Sequence, residues 1–248
     1  MKELLSIKNV VKKYEMAEYN ALDNVSFSIT QGEFVAIMGA SGSGKTTLLN
    51  IASTIDKTDC GEIYIKGRNI TNMSDSKAAD FRKDELGFIF QEYFLLDSLT
   101  VRENLSIPLS LLSKSKDKID EKIECLASKF DMLNQLEKYP HQLSGGQKQR
   151  VAVIRAIIKE PAIIFADEPT GALDSNSTES VMNHLHLVNK EMNSTIMMVT
   201  HDIYAASYAS RVIFFKDGKI VNGIVKDDLD DRDTFQNQIY KIMLSMSK

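Results

Sequence analysis

Gly39-Ala40-Ser41-Gly42-Ser43-Gly44-Lys45-Thr46 follows the apolar run Glu33–Met38 and precedes a helical pattern. The octet fits G-x-x-x-x-G-K-[ST] in the strand–loop–helix context that gives the pattern its meaning. Glycines let successive backbone N–H groups curl around phosphate oxygens, and the helix N-terminus adds positive potential. Lys45 is expected to bring a point charge to β- and γ-phosphates. Thr46 offers a hydroxyl to Mg²⁺, an ion that prefers oxygen ligands and keeps several waters. The stretch therefore predicts a phosphate-binding loop at the end of a buried strand.

Working outward, Leu86–Phe90, Ala162–Asp167 and Thr195–Thr200 are further apolar runs of the kind buried on both faces. Helical patterns separate them. Val181, Leu185, Val188 and Met192 form one apolar stripe, and Val151, Ile154 and Ile158 another. This alternation predicts an α/β fold with a mostly parallel central sheet covered by helices. Residues 4–14 and 21–29 read as strands near a sheet edge, the antiparallel N-terminal part of the fold. Arg211–Phe215 and Lys219–Val225 flank Asp217-Gly218, a hairpin turn signal. Residues 100–160 hold helix-like sequence without a convincing strand, so an inserted helical subdomain is expected there. The predicted organisation is a single domain over 1–248. Its core with the phosphate loop covers about 1–95 and 160–225, its helical subdomain about 96–159. The charged run Lys226–Asp233 leads into a last helix at about 226–248.

Composition bounds the function. The chain has 248 residues, 43% hydrophobic and 26% charged, ordinary for a globular protein and too apolar for a disordered one. Thirty basic residues against 34 acidic leave a net charge of −4, which argues against nucleic acid as a partner. Cys60 and Cys125 stand without metal-spaced companions and read as buried thiols in a reducing compartment. No apolar run reaches the length of a membrane span, and Met1–Tyr14 is broken by lysines and a glutamate. An intracellular protein is expected.

Two further elements bear on chemistry. Asp167-Glu168 end a buried strand, where parallel sheets place ligands. Asp167 there can hold the Mg²⁺ shell, and Glu168 can orient or deprotonate an attacking water. Alone, two acids at a strand end are more often surface decoration; beside a phosphate loop they read as functional. Leu143-Ser144-Gly145-Gly146-Gln147 precedes the helical run Lys148–Lys159. Ser144 is a candidate N-cap. The residues by themselves leave open a plain capped helix start or a second anion-binding terminus.

The order of these elements resembles the ATP-binding subunits of ABC transporters across essentially the whole chain. A phosphate loop, then Leu-Ser-Gly-Gly-Gln, then an apolar strand ending in Asp-Glu is highly specific to them. The resemblance implies ATP and Mg²⁺ as ligands and assigns roles by position. Gly39, Ser41, Gly42, Ser43, Gly44, Lys45, Thr46 and Thr47 would bind the phosphates. Tyr14, otherwise an ordinary sheet-edge aromatic, would stack on adenine. Gln91 would sense Mg²⁺ and the attacking water, with Thr46 and Asp167 as the other metal contacts. Glu168 would be the catalytic base and His201 the γ-phosphate histidine, where a lone His at a strand end is usually structural. Ser144, Gly145 and Gly146 form the signature, and Asp174 belongs to the loop after the acidic pair. One phosphate loop and one signature per chain imply a head-to-tail homodimer sandwiching two ATP. The resemblance also implies an integral-membrane permease as partner and a place on the cytoplasmic face of the membrane.

Thr170-Gly171-Ala172-Leu173-Asp174-Ser175 is similar to the lipoprotein-release and macrolide-export branch. Leu48–Asp56, Phe90–Asp97 and Asn104–Leu109 are most similar within it to bacitracin and lantibiotic resistance exporters. Lys148, where Gln is usual, and Ile154, where a small residue is frequent, depart from the common pattern without touching a catalytic position. Other classes fit less well. The nearest approach to a guanine-reading Asn-Lys-x-Asp is Asn189-Lys190-Glu191-Met192, which lacks the Asp. The Lys45–Ser144 interval has no sustained heptads of a chromosome ATPase. Cell-division-type and importer ATPase subunits are the nearest alternatives.

Overall fold

The computed structural model describes residues 2–15, 18–227 and 229–246. Parts of the loop after Tyr14, of the charged run at 226–233 and of the expected last helix thus lie outside the described residues. In chain order the first half contains β1 (Glu3–Lys12), β2 (Leu22–Thr30), β3 (Phe34–Met38), α1 (Lys45–Ala52), β4 (Cys60–Ile65), β5 (Arg68–Asn69), α2 (Asp75–Glu85), β6 (Leu86–Phe90) and α3 (Val101–Leu111). The second half contains α4 (Lys116–Lys129), α5 (Gly145–Ile157), β7 (Ile163–Asp167), α6 (Ser175–Met192), β8 (Thr195–Thr200), α7 (Ile203–Ala206), β9 (Arg211–Lys216), β10 (Lys219–Val225) and α8 (Arg232–Met246). These form two compact units, one of residues 1–78 with 195–248, the other of residues 79–194.

In the first unit β3 runs parallel to both β8 and β9, and β10 closes the predicted hairpin on β9. All five residues of β3 are buried, as its unbroken apolar sequence requires of a central parallel strand. The same unit holds an antiparallel sheet in the order β2-β1-β4-β5. β2 takes one edge of it and β5 the other, and β1 lies next to the β2 edge, paired on its far side with β4, Leu5 opposite Ile65 and Ile7 opposite Ile63. Leu5, Ile7 and Val10 are buried accordingly.

In the second unit β6 and β7 pair in parallel, from Leu86 opposite Ile163 to Phe90 opposite Asp167. Between them the chain is helical, as expected for residues 100–160. Thr100 and Glu103 form a capping box at α3, worth about 1 kcal/mol for the cap alone. Val151, Ile154 and Ile158 are fully buried, and so are Val181, Leu185 and Val188 of α6. The cysteine expectation fails, for both thiols are exposed. Cys125 lies on α4 off the face that buries Ile119, Ile123, Leu126 and Ala127, and Cys60 starts β4 at the rim of its sheet.

Candidate functional site

The phosphate loop links β3 to α1 and is held from outside by backbone. The Gly218 N–H donates to the Ser43 carbonyl at 2.9 Å, and Leu48 N–H to the Gly44 carbonyl at 2.9 Å starts the helix. Gly44 has φ +104°, and a Cβ there would lie 2.2 Å from the Ala21 carbonyl oxygen. Only glycine satisfies both conditions. Lys45 is buried, and its Nζ donates to the Gly39 and Ala40 carbonyls, each at 2.9 Å. The ammonium therefore lies inside the curl of the loop, where a phosphate would compete with carbonyl oxygens for its protons. Ser43 Oγ is buried with no hydrogen-bond partner, while Ser41, Gly42 and Thr46 are exposed and Thr47 half-buried. An orphaned hydroxyl and a buried lysine within one glycine loop fit a phosphate ligand.

Tyr14 stands two residues beyond β1. Its hydroxyl donates to Asp56 Oδ2 at 3.0 Å, and the Lys12 ammonium lies 5.2 Å from its ring centroid. Lys12 in turn donates to Asp56 Oδ1 at 3.2 Å. Partial burial and the Asp56 hydrogen bond both push the phenol pKa up. His201 is exposed directly after β8. Its neighbours fix the backbone: Asp202 N–H donates to Thr200 Oγ1 at 3.0 Å, and Asp202 Oδ1 caps α7 at Tyr204 N–H, 2.8 Å.

The second unit brings together Gln91, Asp167 and Glu168. Because Phe90 pairs with Asp167, Gln91 and Glu168 leave their strands at the same end. Glu168 has φ +46°, a left-handed conformation rare for a side chain of its size. The Gly171 N–H donates to the Glu168 carbonyl at 3.0 Å. A Cβ on Gly171 would come within 3.0–3.3 Å of the Gln91 amide, so the turn after the acidic pair presses against that side chain.

Ser144 is the N-cap of α5, with Gln147 completing a capping box: Gln147 N–H to Ser144 Oγ is 3.3 Å, and Ser144 N–H to Gln147 Oε1 is 3.0 Å. Gly145 and Gly146 form the first turn. A Cβ on Gly146 would meet Ser177 Oγ at 2.9 Å, so the signature glycines allow α5 to begin against α6. Asp174 is the N-cap of α6: its carboxylate accepts from Ser177 N–H at 3.0 Å and Ser177 Oγ at 2.8 Å. Those bonds hold its pKa below the usual carboxylate range.

Two residues at these loops were not singled out in the sequence. Gln149 is fully buried, and its Nε2 donates to the Pro169 carbonyl at 2.6 Å. Arg155 donates to the Phe94 carbonyl and, at 2.7 Å, to that of Tyr93, where both residues have positive φ. The available signal for Gln149 is its place on the face of Ala152, Val153 and Ala156, one polar residue within an otherwise apolar set.

Among the described residues no group of three or more His, Cys, Asp or Glu could hold a metal by itself. In the first unit the Thr46 hydroxyl, and in the second unit the Asp167 and Glu168 carboxylates, are each oxygen donors of the kind that Mg²⁺ takes.

Fold and loops together define a P-loop nucleotide-binding protein of the α/β class. The ABC transporter family model matches residues 22–171. The chain is 49% identical over 240 residues to the bacitracin export ATP-binding protein BceA of Halalkalibacterium halodurans, covering 96% of this chain and 94% of that one. It is 43% identical over 220 residues to the macrolide export ATP-binding/permease protein MacB of Pasteurella multocida, covering 88% of this chain and 34% of that longer protein. Among solved structures, the dimeric post-hydrolysis state of the ATP-binding cassette MJ0796 with ADP and Pi superposes with a TM-score of 0.82. That match is 39% identical and covers 90% of this chain and 98% of the other; the organism is Methanocaldococcus jannaschii. The chain belongs to the ABC transporter family, as an ATP-binding cassette of the branch that includes bacitracin and macrolide exporters.

Proposed function

We propose that this ATP-binding subunit hydrolyses ATP to drive a membrane permease that removes antimicrobial peptides such as bacitracin from the cell envelope. The observation that carries the peptide reading is the 49% identity to a bacitracin export subunit along 96% of the chain. No helix among the described residues is long and apolar enough to cross a membrane. Attachment to the cytoplasmic face therefore falls to the permease.

The proposed roles are those that the family resemblance assigns to these positions. The loop from Gly39 to Thr47 receives the phosphates through its N–H groups, with Lys45 neutralising β- and γ-oxygens and Tyr14 stacking on adenine. Thr46, Asp167 and Gln91 are the oxygen donors for Mg²⁺, which when bound neutralises charge on the phosphates. Glu168 accepts a proton from the water whose oxygen bonds to the γ-phosphorus as the bond to the bridging oxygen breaks, giving ADP and phosphate. His201 donates to the γ-phosphate. Ser144, Gly145 and Gly146 reach the γ-phosphate held by a partner copy, with Asp174 in the loop beside them. Closure of that head-to-tail dimer on two ATP excludes bulk water.

The test is genetic. Deleting the chain's gene is expected to sensitise the cell to bacitracin-type peptides, with restoration by the parent gene and none by Glu168→Gln. Unchanged peptide sensitivity, with altered sensitivity to macrolides or altered lipoprotein release, would reassign the substrate within the branch.

A further inference from the structure

Gln149 belongs to the second turn of α5, five residues beyond Ser144, and its side chain is completely buried. Its Nε2 donates to the Pro169 carbonyl at 2.6 Å and approaches the Phe90 carbonyl at 3.5 Å, the outer limit of a hydrogen bond. Both partners are acceptors, so the amide can face them only with its NH₂ group. Its Oε1 is left buried without a donor. Such an acceptor is destabilising, and a leucine would avoid it. The amide is therefore poorly explained by stability alone.

Its contacts explain it better. Pro169 directly follows Glu168, and Phe90 directly precedes Gln91. Glu168 holds a left-handed φ of +46°, and such strain persists only when the surroundings over-determine it. One restraint is the Gly171 N–H bond to the Glu168 carbonyl at 3.0 Å. Another is the bond from Gln149 to the next carbonyl along. We infer that Gln149 is a positioning residue: from the signature helix it fixes the backbone that aims the Glu168 carboxylate at the attacking water. It thereby ties the helix that begins at Ser144 to the base of the same chain. This inference rests on the proposed role of Glu168.

The decisive variant is Gln149→Leu, which keeps the volume, removes the orphaned acceptor and removes the donor. Steady-state phosphate release, equilibrium ATP binding and thermal unfolding are measured on the full-length protein. Turnover is expected to fall between about ten- and a hundredfold, as for a misplaced general base. ATP affinity should change by less than about twofold, because the phosphate-loop residues are untouched. The thermal midpoint should hold, since the lost donor and the lost orphan act in opposite directions. In a Glu168→Gln background, Gln149→Leu should cost no further turnover, because it acts through that carboxylate. Full turnover in Gln149→Leu, or an equal loss in both backgrounds, overturns the inference. If Glu168→Gln itself turns over at the parent rate, the role of Glu168 fails first and the inference with it. A variant that unfolds is replaced by Gln149→Met, judged by the same ratio of turnover to affinity.

Discussion

Gly42 and Gly44 lie two residues apart in the same loop, and the structure separates their tolerance of a methyl group. At Gly44 the backbone has φ +104°, outside any comfortable region for an L side chain, and the new Cβ would stand 2.2 Å from the Ala21 carbonyl oxygen. Strain of this kind costs about 1–3 kcal/mol. The clash is with backbone, which cannot rotate aside, and adds about 1–3 kcal/mol of overpacking. Gly44→Ala is therefore expected to lose about 2–6 kcal/mol, a large share of the ~5–15 kcal/mol typical of a folded domain. Gly42 has φ +78°, but a methyl group there would meet nothing within 4 Å. Gly42→Ala should lose only about 1–2 kcal/mol, the left-handed penalty alone. Urea unfolding without nucleotide reads the difference as a shift in midpoint at constant slope. Equal midpoints for the two variants, or a worse Gly42→Ala, would refute the reasoning. It would mean that the loop relaxes away from Ala21.

Mixing Lys45→Ala chains with Ser144→Arg chains, each inactive alone, should restore one intact site and measurable hydrolysis. No activity in a verified mixed dimer argues against a site shared across copies. Phe94 and Leu96 are 61% and 50% exposed beside Gln91, whereas Leu95 is half-buried. Such exposed apolar side chains suit a contact with the permease, so Phe94→Ser with Leu96→Ser is expected to release it on co-purification while leaving basal hydrolysis intact; undiminished co-purification would contradict that contact. Burial pushes Lys159 down to about 8 from its usual 10.5. The folded state thus gives up this proton near pH 8 while the unfolded chain keeps it to about 10.5, so stability rises with pH across that interval. Lys159→Met should flatten the slope of unfolding free energy between about pH 8 and 10, and an unchanged slope would assign it to other groups.

What the sequence made legible follows from how each element is buried. The strands β3, β6, β7 and β8 carry unbroken apolar runs and emerge within a residue of their bounds, because strands covered on both faces leave no polar period to misread. β4 carries Glu62 and β5 Arg68, with Lys66 in the turn between them, and both strands half-face solvent, so the stretch from 60 to 69 gave no comparable run. α2, with Asp75, Lys77, Asp80, Arg82, Lys83 and Asp84, has little apolar face to detect. The phosphate loop and the acidic pair stood out in the sequence because few residue types at that spacing suit phosphate and Mg²⁺, whereas Ser144 stayed open between a plain cap and an anion-binding terminus until the family resemblance. Gln149, Arg155 and the Asp56–Lys12 support of Tyr14 did not stand out, because long-range partners give such residues their meaning.

The most direct measurement of the central claim is paired, on Glu168→Gln: steady-state phosphate release, and dimer formation by light scattering with ATP and Mg²⁺. Removing a general base typically costs ~10²–10⁴-fold in rate, about 3–5 kcal/mol of barrier. Glu168→Gln keeps the shape and, in the proposed role, removes a negative charge that would repel the triphosphate, so binding should be retained or tightened. The expected result is slow hydrolysis together with a dimer that stays closed on ATP. Hydrolysis at the parent rate, or a chain that remains monomeric on saturating ATP, contradicts the account, and the former makes His201 the next candidate for the water's proton.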